Sequence, residues 1–251
     1  MASLIRGGVH ISFDVHGAGP PLLLSHGYSA SARMWDGQCD AVGRRVITWD
    51  MRGHGRSDSP DDPDAYSEAE TVADMVAILD ECGIERAAVG GLSLGGYMSL
   101  AFHAAHPERT AALLLFDTGP GYRNEEARAG WNAMAVRLAT SFEAKGLDAL
   151  SRSPEVQASE HRSARGLALA ARGILVQHNA RVIDGLPHIA VPALVLVGAN
   201  DDPYVGPATY MAAKIPGAQH VVLPDAGHAS NLDQPVAFNQ AVVDFLDGAG
   251  W

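Results

Sequence analysis

Cysteine is nearly absent: Cys39 and Cys82 are the only two in 251 residues. No disulfide framework is indicated, and both thiols read as reduced and unpaired. Positive charge is also scarce, with 18 Lys and Arg against 29 Asp and Glu, a net charge of −11. No basic stripe occurs, and phosphate binding needs clustered cations, so a nucleic-acid partner is excluded. The longest apolar stretches, 111–116 and 191–197, are strand-sized and fall short of the roughly 20 residues of a membrane span. The opening residues, Met-Ala-Ser-Leu-Ile-Arg6, lack a basic segment followed by an apolar one and an export cleavage site. Together these absences predict a cytoplasmic protein with no membrane association. Signatures for phosphate, dinucleotide and metal binding (Gly-Lys-Ser/Thr after a glycine loop, Gly-x-Gly-x-x-Gly, His-Glu-x-x-His) are missing as well. No cofactor and no metal are expected.

What is present is the balance of a packed globular chain, 47% apolar and 19% charged. The length suits one large α/β domain, or one domain carrying an insertion. Strand-like and helix-like stretches alternate, the pattern of a mostly parallel central sheet flanked by helices. Ile11 to Val15 alternates and ends in a turn cluster, which predicts an early hairpin or edge strand. Leu22–Leu24, Val46–Trp49, Ala87–Val89, Ala111–Phe116, Ala193–Val197 and His220–Leu223 read as strands. Helical spacing marks Thr71 to Leu79, with Gly83 as a stop, and a stretch running to about His106 before Pro107. A last helix is expected over Asn231 to Leu246, with Val236, Phe238, Val242, Val243 and Leu246 facing inward. From 119 to about 189 no buried strand is evident, and Trp131, Met134, Val136 and Leu138 fit a helix, as do Leu167 to Val176. The expected organisation is a core over 1–118 and 190–251 with a helical cap over 119–189. Its entry follows a strand's carboxyl end, where open α/β sheets bind ligands.

The sharpest chemical signal is Gly91-Leu92-Ser93-Leu94-Gly95, with an apolar strand before it and a helix after it. A serine on so tight a strand-to-helix turn needs small neighbours, because the backbone there is crowded. Its hydroxyl is then exposed above the sheet beside a helix N-terminus, where developing negative charge is favoured. A serine hydroxyl is a weak nucleophile without a base. Most of the 11 histidines read as bland, with His103 and His106 facing outward or capping a helix end. His228 differs, lying in Asp225-Ala226-Gly227-His228-Ala229 between a strand and the last helix. A base in turn needs a carboxylate to fix its tautomer, and spacing alone leaves Asp201, Asp202 and Asp117 open.

These residues resemble the α/β-hydrolase fold family, in its small helical-cap branch of esterases, lactonases, carbon–carbon bond hydrolases and cofactor-free haloperoxidases. The motifs are His26-Gly27, Asp50-x-Arg52-Gly53-His54-Gly55-x-Ser57, Gly91-x-Ser93-x-Gly95, Gly198-x-x-Asp201 and Gly227-His228, and they span essentially the whole chain. Serine, aspartate and histidine follow in the family's order. The resemblance implies Ser93 as nucleophile, His228 as base and Asp201 as the acid that orients it. It also implies an oxyanion hole formed by the backbone N–H groups of Tyr28 and Leu94. The Asp50 to Ser57 stretch is expected to be a structural turn network. Relatives with an aspartate or cysteine nucleophile, or with a His-Gly-Gly-Pro stretch, are excluded by Ser93 and Tyr28. The implied activity is hydrolysis of a small carboxylic ester or lactone, with a small molecule as partner. Carbon–carbon hydrolysis, haloperoxidase or perhydrolase chemistry, and a ligand-binding receptor on the same fold stand as alternatives. Trp131, Met134 and Phe142 are candidate substrate-lining residues, although each equally suits the cap's own packing.

Overall fold

A computed structural model describes residues 2–251. Eight strands form one sheet: β1 (Ala2–Arg6), β2 (Val9–His16), β3 (Pro21–Ser25), β4 (Arg45–Trp49), β5 (Ala87–Leu92), β6 (Thr110–Phe116), β7 (Ala193–Gly198) and β8 (Gln219–Leu223). Their order is β1-β2-β4-β3-β5-β6-β7-β8. β1 pairs antiparallel with β2, and β2 with β4, while every later pairing is parallel. The early strand expected at 11–15 is therefore the second strand, and a further strand precedes it at the sheet's margin. β1 escaped the sequence reading because an edge strand is half solvated and its residues show no continuous apolar run.

The central strands β5, β6 and β7 are buried at every position, as strands covered on both faces must be. Side-chain alternation sends successive residues to opposite layers. Leu113, Leu115, Val195 and Val197 join one core with Met75, Ile78, Met98 and Phe102. Leu114, Phe116, Leu194 and Leu196 join the other with Trp35, Phe238, Val242 and Phe245. The helices supplying these layers include α1 (Asp36–Cys39), α2 (Glu68–Glu81) and α3 (Leu94–Ala105). Ser67 caps α2 by accepting from the Glu70 amide at 3.0 Å, and Gly83 (φ +65°) lies just beyond its end.

Between β6 and β7 the chain forms α4 (Glu125–Lys145), α5 (Pro154–Gln157), α6 (Ala164–Gly173) and α7 (Arg181–Gly185), with no strand among them. After β7 come α8 (Asp202–Lys214), α9 (Ser230–Asp233) and α10 (Pro235–Gly248). The single last helix expected from 231 is thus two helices. Gln234 leaves the helical region (φ −132°, ψ 59°) and Pro235 opens α10, because a proline restricts the preceding residue to non-helical backbone. The break shifts the helical phase and leaves Val236 83% exposed, while Phe238, Val242 and Leu246 are buried as expected. His103, expected to face outward or cap a helix end, does lie in the last turn of α3 but is buried there, its Nδ1 without a partner among the described residues. Both cysteines are free. Among the described residues, no helix is long and apolar enough to cross a membrane.

Candidate active site

Ser93 stands between β5 and α3 with φ 55° and ψ −115°. An L-residue holds that conformation only where its surroundings overdetermine it, at an order of 1–3 kcal/mol. Here the Ser93 amide donates to the Phe116 carbonyl at 2.9 Å, and the Thr118 hydroxyl donates to the Ser93 carbonyl at 2.6 Å. The flanking glycines have a steric reason. A Cβ on Gly91 or on Gly95 would overlap the Ser25 carbonyl oxygen at the end of β3. The turn therefore packs directly on the neighbouring strand, and only hydrogen fits.

His228 and Asp201 meet across two loops at the carboxyl ends of β8 and β7. Their Nδ1···Oδ2 distance is 2.8 Å, with Asp201 almost wholly buried. Asp202, one residue on, is exposed. Burial disfavours a charged His228 ring, but the hydrogen bond and negative charge of Asp201 outweigh it, so its pKa is raised above 6.5. Asp117 (φ 45°) follows β6 and serves the scaffold. One carboxylate oxygen accepts from the Gly198 amide at 2.8 Å, and the other takes the Ser230 hydroxyl. It thereby ties the loop bearing Asp201 to the one bearing His228. Burial pushes its pKa up to about 7.

Tyr204 lines the same small chamber as Ser93, and its ring stacks on His228 with centroids 4.8 Å apart and planes 27° from parallel. Among the described residues no direct hydrogen bond joins Ser93 to the His228 ring, and Tyr204 lies against both. Burial raises the Tyr204 phenol to about 12, so it remains a neutral hydroxyl. Tyr204 was absent from the sequence reading, although its place three residues after Asp201, in the first turn of α8, was a usable signal.

The loop after β3 carries the other predicted donor. The Ala30 amide donates to the Gly27 carbonyl at 3.1 Å, whereas among the described residues no protein acceptor takes the Tyr28 or the Leu94 amide. Three histidines brace this loop. The Met51 amide donates to His26 Nε2 (3.0 Å), so Nδ1–H donates to the Gly27 carbonyl (2.7 Å). The Ser29 amide donates to His54 Nε2 (3.2 Å), so Nδ1–H donates to the Arg52 carbonyl (3.1 Å). The Gly55 amide donates to His161 Nδ1 (3.2 Å), so Nε2–H donates to the Ser29 carbonyl (2.9 Å). Each ring needs one bare nitrogen and one N–H, which makes it neutral. Burial accordingly lowers all three pKa values, that of His26 to about 4.

Asp50 organises the turn network expected over 50–57. It accepts from the Ala32 amide (2.7 Å), the Arg56 amide (3.0 Å) and the Arg56 guanidinium (3.0 Å), while Ser57 Oγ donates to its carbonyl (2.6 Å).

Two adjoining chambers open beside Ser93. The inner one, about 30 Å³, is lined by Ser93, Leu94, Tyr97, Trp131, Gln177 and Tyr204, among others. The outer one, about 290 Å³, shares Gly119, Trp131, Gln177 and Tyr204 with it and adds Tyr122, Ile183 and Tyr210. Trp131 thus lines both chambers, and its indole donates to the Leu175 carbonyl at 2.8 Å. Met134 and Phe142 line neither. Phe142 is instead buried with Ala139 and Leu167 and meets the Tyr28 ring edge-on at 6.3 Å. The reason is distance along the helix rather than phase: Phe142 shares the face of Trp131 but lies three turns farther along α4, over the Tyr28 loop.

This fold and this strained serine turn define a hydrolase scaffold, and comparison with known proteins agrees. The model of the alpha/beta hydrolase family matches residues 22–241, and the chain belongs to that family. Among relatives, 3-oxoadipate enol-lactonase 2 of Acinetobacter baylyi is 31% identical, covering 89% of this chain and 87% of its own. Similar solved structures include a thermophilic esterase from Thermogutta terrifontis, with TM-score 0.83, 29% identity and coverage of 98% and 97%. Another is the enol-lactonase from Burkholderia xenovorans, with TM-score 0.79, 27% identity and coverage of 98% and 100%.

Proposed function

We propose that the protein hydrolyses a small carboxylic ester or lactone through an acyl-enzyme on Ser93. The observation that carries this reading is the strained Ser93 turn beside a buried, Asp201-bonded His228. An esterase and an enol-lactonase among its structural neighbours support the same bond class. Ser93 attacks the carbonyl carbon, and His228 Nε2 takes the hydroxyl proton. Asp201 holds the Nδ1–H tautomer and stabilises the imidazolium. The Tyr28 and Leu94 amides, free of protein acceptors, receive the oxyanion. One such donor is typically worth about 2.7–4 kcal/mol of barrier. His228 then protonates the leaving oxygen, and water activated by the same ring releases the acid. The Ser93–His228 hydrogen bond forms as substrate binds, since such bonds tighten in substrate complexes.

The test is labelling and turnover. A fluorophosphonate should modify Ser93, and Ser93→Ala should abolish hydrolysis of a short activated ester with its thermal midpoint near that of the wild type. Wild-type turnover in that variant would remove Ser93 from the mechanism. A receptor on the same scaffold would instead bind saturably and complete no more than a single slow turnover.

A further inference from the structure

The wall shared by the two chambers holds a polar side chain that acyl transfer at Ser93 does not use. Gln177 is only 7% exposed and lines both chambers. Its backbone is clamped by Asn132 of α4, which donates from Nδ2 to the Gln177 carbonyl and accepts at Oδ1 from its amide, both at 2.8 Å. Its carboxamide is not clamped. Among the described residues it makes no hydrogen bond to protein, and Oε1 is buried without a partner. Space for it comes from Gly121 (φ +86°), where a Cβ would stand 2.7 Å from Oε1 and 3.2 Å from the Tyr97 ring. A buried amide with no partner is destabilising, and this one adjoins the nucleophile.

The rest of the lining bears no ionised side chain: neither chamber is lined by Asp, Glu, Lys or Arg. The guanidinium of Arg123, near Tyr210, is engaged by Asp184 and donates to the Tyr210 hydroxyl at 2.8 Å. A carboxylate entering these chambers would lose water without gaining a cation. A neutral secondary amide suits the Gln177 carboxamide: the carboxamide offers two N–H donors and one carbonyl acceptor, and a secondary amide presents one acceptor and one donor, either of which can complete a hydrogen bond with it.

We propose that Gln177 is a specificity-determining residue that selects an uncharged ester or lactone bearing a secondary amide beside the scissile carbonyl. This rests on the ester or lactone reading of the Ser93 site, and its test is kept separate from turnover. Binding is measured by calorimetry on Ser93→Ala with three γ-butyrolactones: one α-acylamino, one α-alkyl of equal length, and one α-alkyl chain ending in a carboxylate. The acylamino lactone should bind about tenfold tighter than either of the others, the worth of one net hydrogen bond. Adding Gln177→Leu, or Gln177→Met should the first fail to fold, should bring the acylamino and alkyl affinities together. The thermal midpoint should not fall, because an unpaired buried polar group has been removed. Equal affinities in Ser93→Ala, an acylamino preference that survives both Gln177 variants, or tightest binding of the carboxylate would each overturn the proposal. Wild-type hydrolysis of the acylamino and alkyl lactones is scored separately. Its absence, together with no turnover of the short activated ester, would overturn the hydrolase reading, whereas equal affinities with turnover intact would overturn the Gln177 proposal alone.

Discussion

At the scale of single residues, protonation decides what the site can do. In the proposed mechanism His228 must be neutral to accept the serine proton, and the Asp201 bond raises its pKa above 6.5. Activity should therefore rise with pH through a midpoint above 6.5, as neutral imidazole replaces imidazolium. Asp201→Asn removes the stabilising charge, so the midpoint should move down. At the same time kcat should drop by about 10⁴, because an amide can hold the wrong tautomer. A kcat/KM profile against pH for both proteins checks the sign and size of each effect. Asp202→Asn, on an exposed neighbour, should leave both nearly unchanged.

At the scale of elements, the strand-to-helix turn is held by contact rather than by propensity. Gly95 is the second residue of α3, and its Cα faces the Ser25 and His26 carbonyls at the end of β3. Gly95→Ala should separate β3 from α3, lowering the thermal midpoint and cutting turnover together. Overpacking of this kind typically costs about 1–3 kcal/mol, and a denaturant titration measures it. An Ala variant at Gly130, where nothing lies within 4 Å of an added Cβ, should be neutral or slightly stabilising and serves as the control.

At the scale of the whole molecule, the three neutral histidines couple stability to pH. In the unfolded chain each protonates as pH falls below about 6.5. In the folded chain His26 resists until about 4, and His54 and His161 are likewise depressed. The unfolded state thus binds more protons in this window, and stability should fall as pH drops from 6.5 toward 4. Asp117 works in the opposite direction, since its folded pKa is raised to about 7 and its contribution is lost as pH rises from about 4 to 7. His103 is depressed by burial too, while His228, raised by Asp201, acts with Asp117; four depressed rings outweigh these two groups, so the thermal midpoint should decline on acidification below 6.5. His54→Gln, which keeps a polar side chain but cannot ionise, should flatten that decline.

Local pattern alone determined the strand and helix alternation, the helical character of 119–189 and the turn that displays Ser93. Strand burial, helical spacing and small-residue crowding all act over a few neighbouring positions, so they are written in order along the chain. The resemblance in those motifs raised Asp201 above Asp202 and Asp117. Only the tertiary structure set Asp201 against His228 and gave Asp117 to bracing the two loops. It alone stacked Tyr204 on the imidazole, turned Phe142 toward Tyr28 rather than the chambers, and left the Gln177 carboxamide without a partner. Those outcomes depend on which distant loops the parallel sheet brings to one edge. Contacts between residues tens of positions apart leave no periodic mark in the sequence.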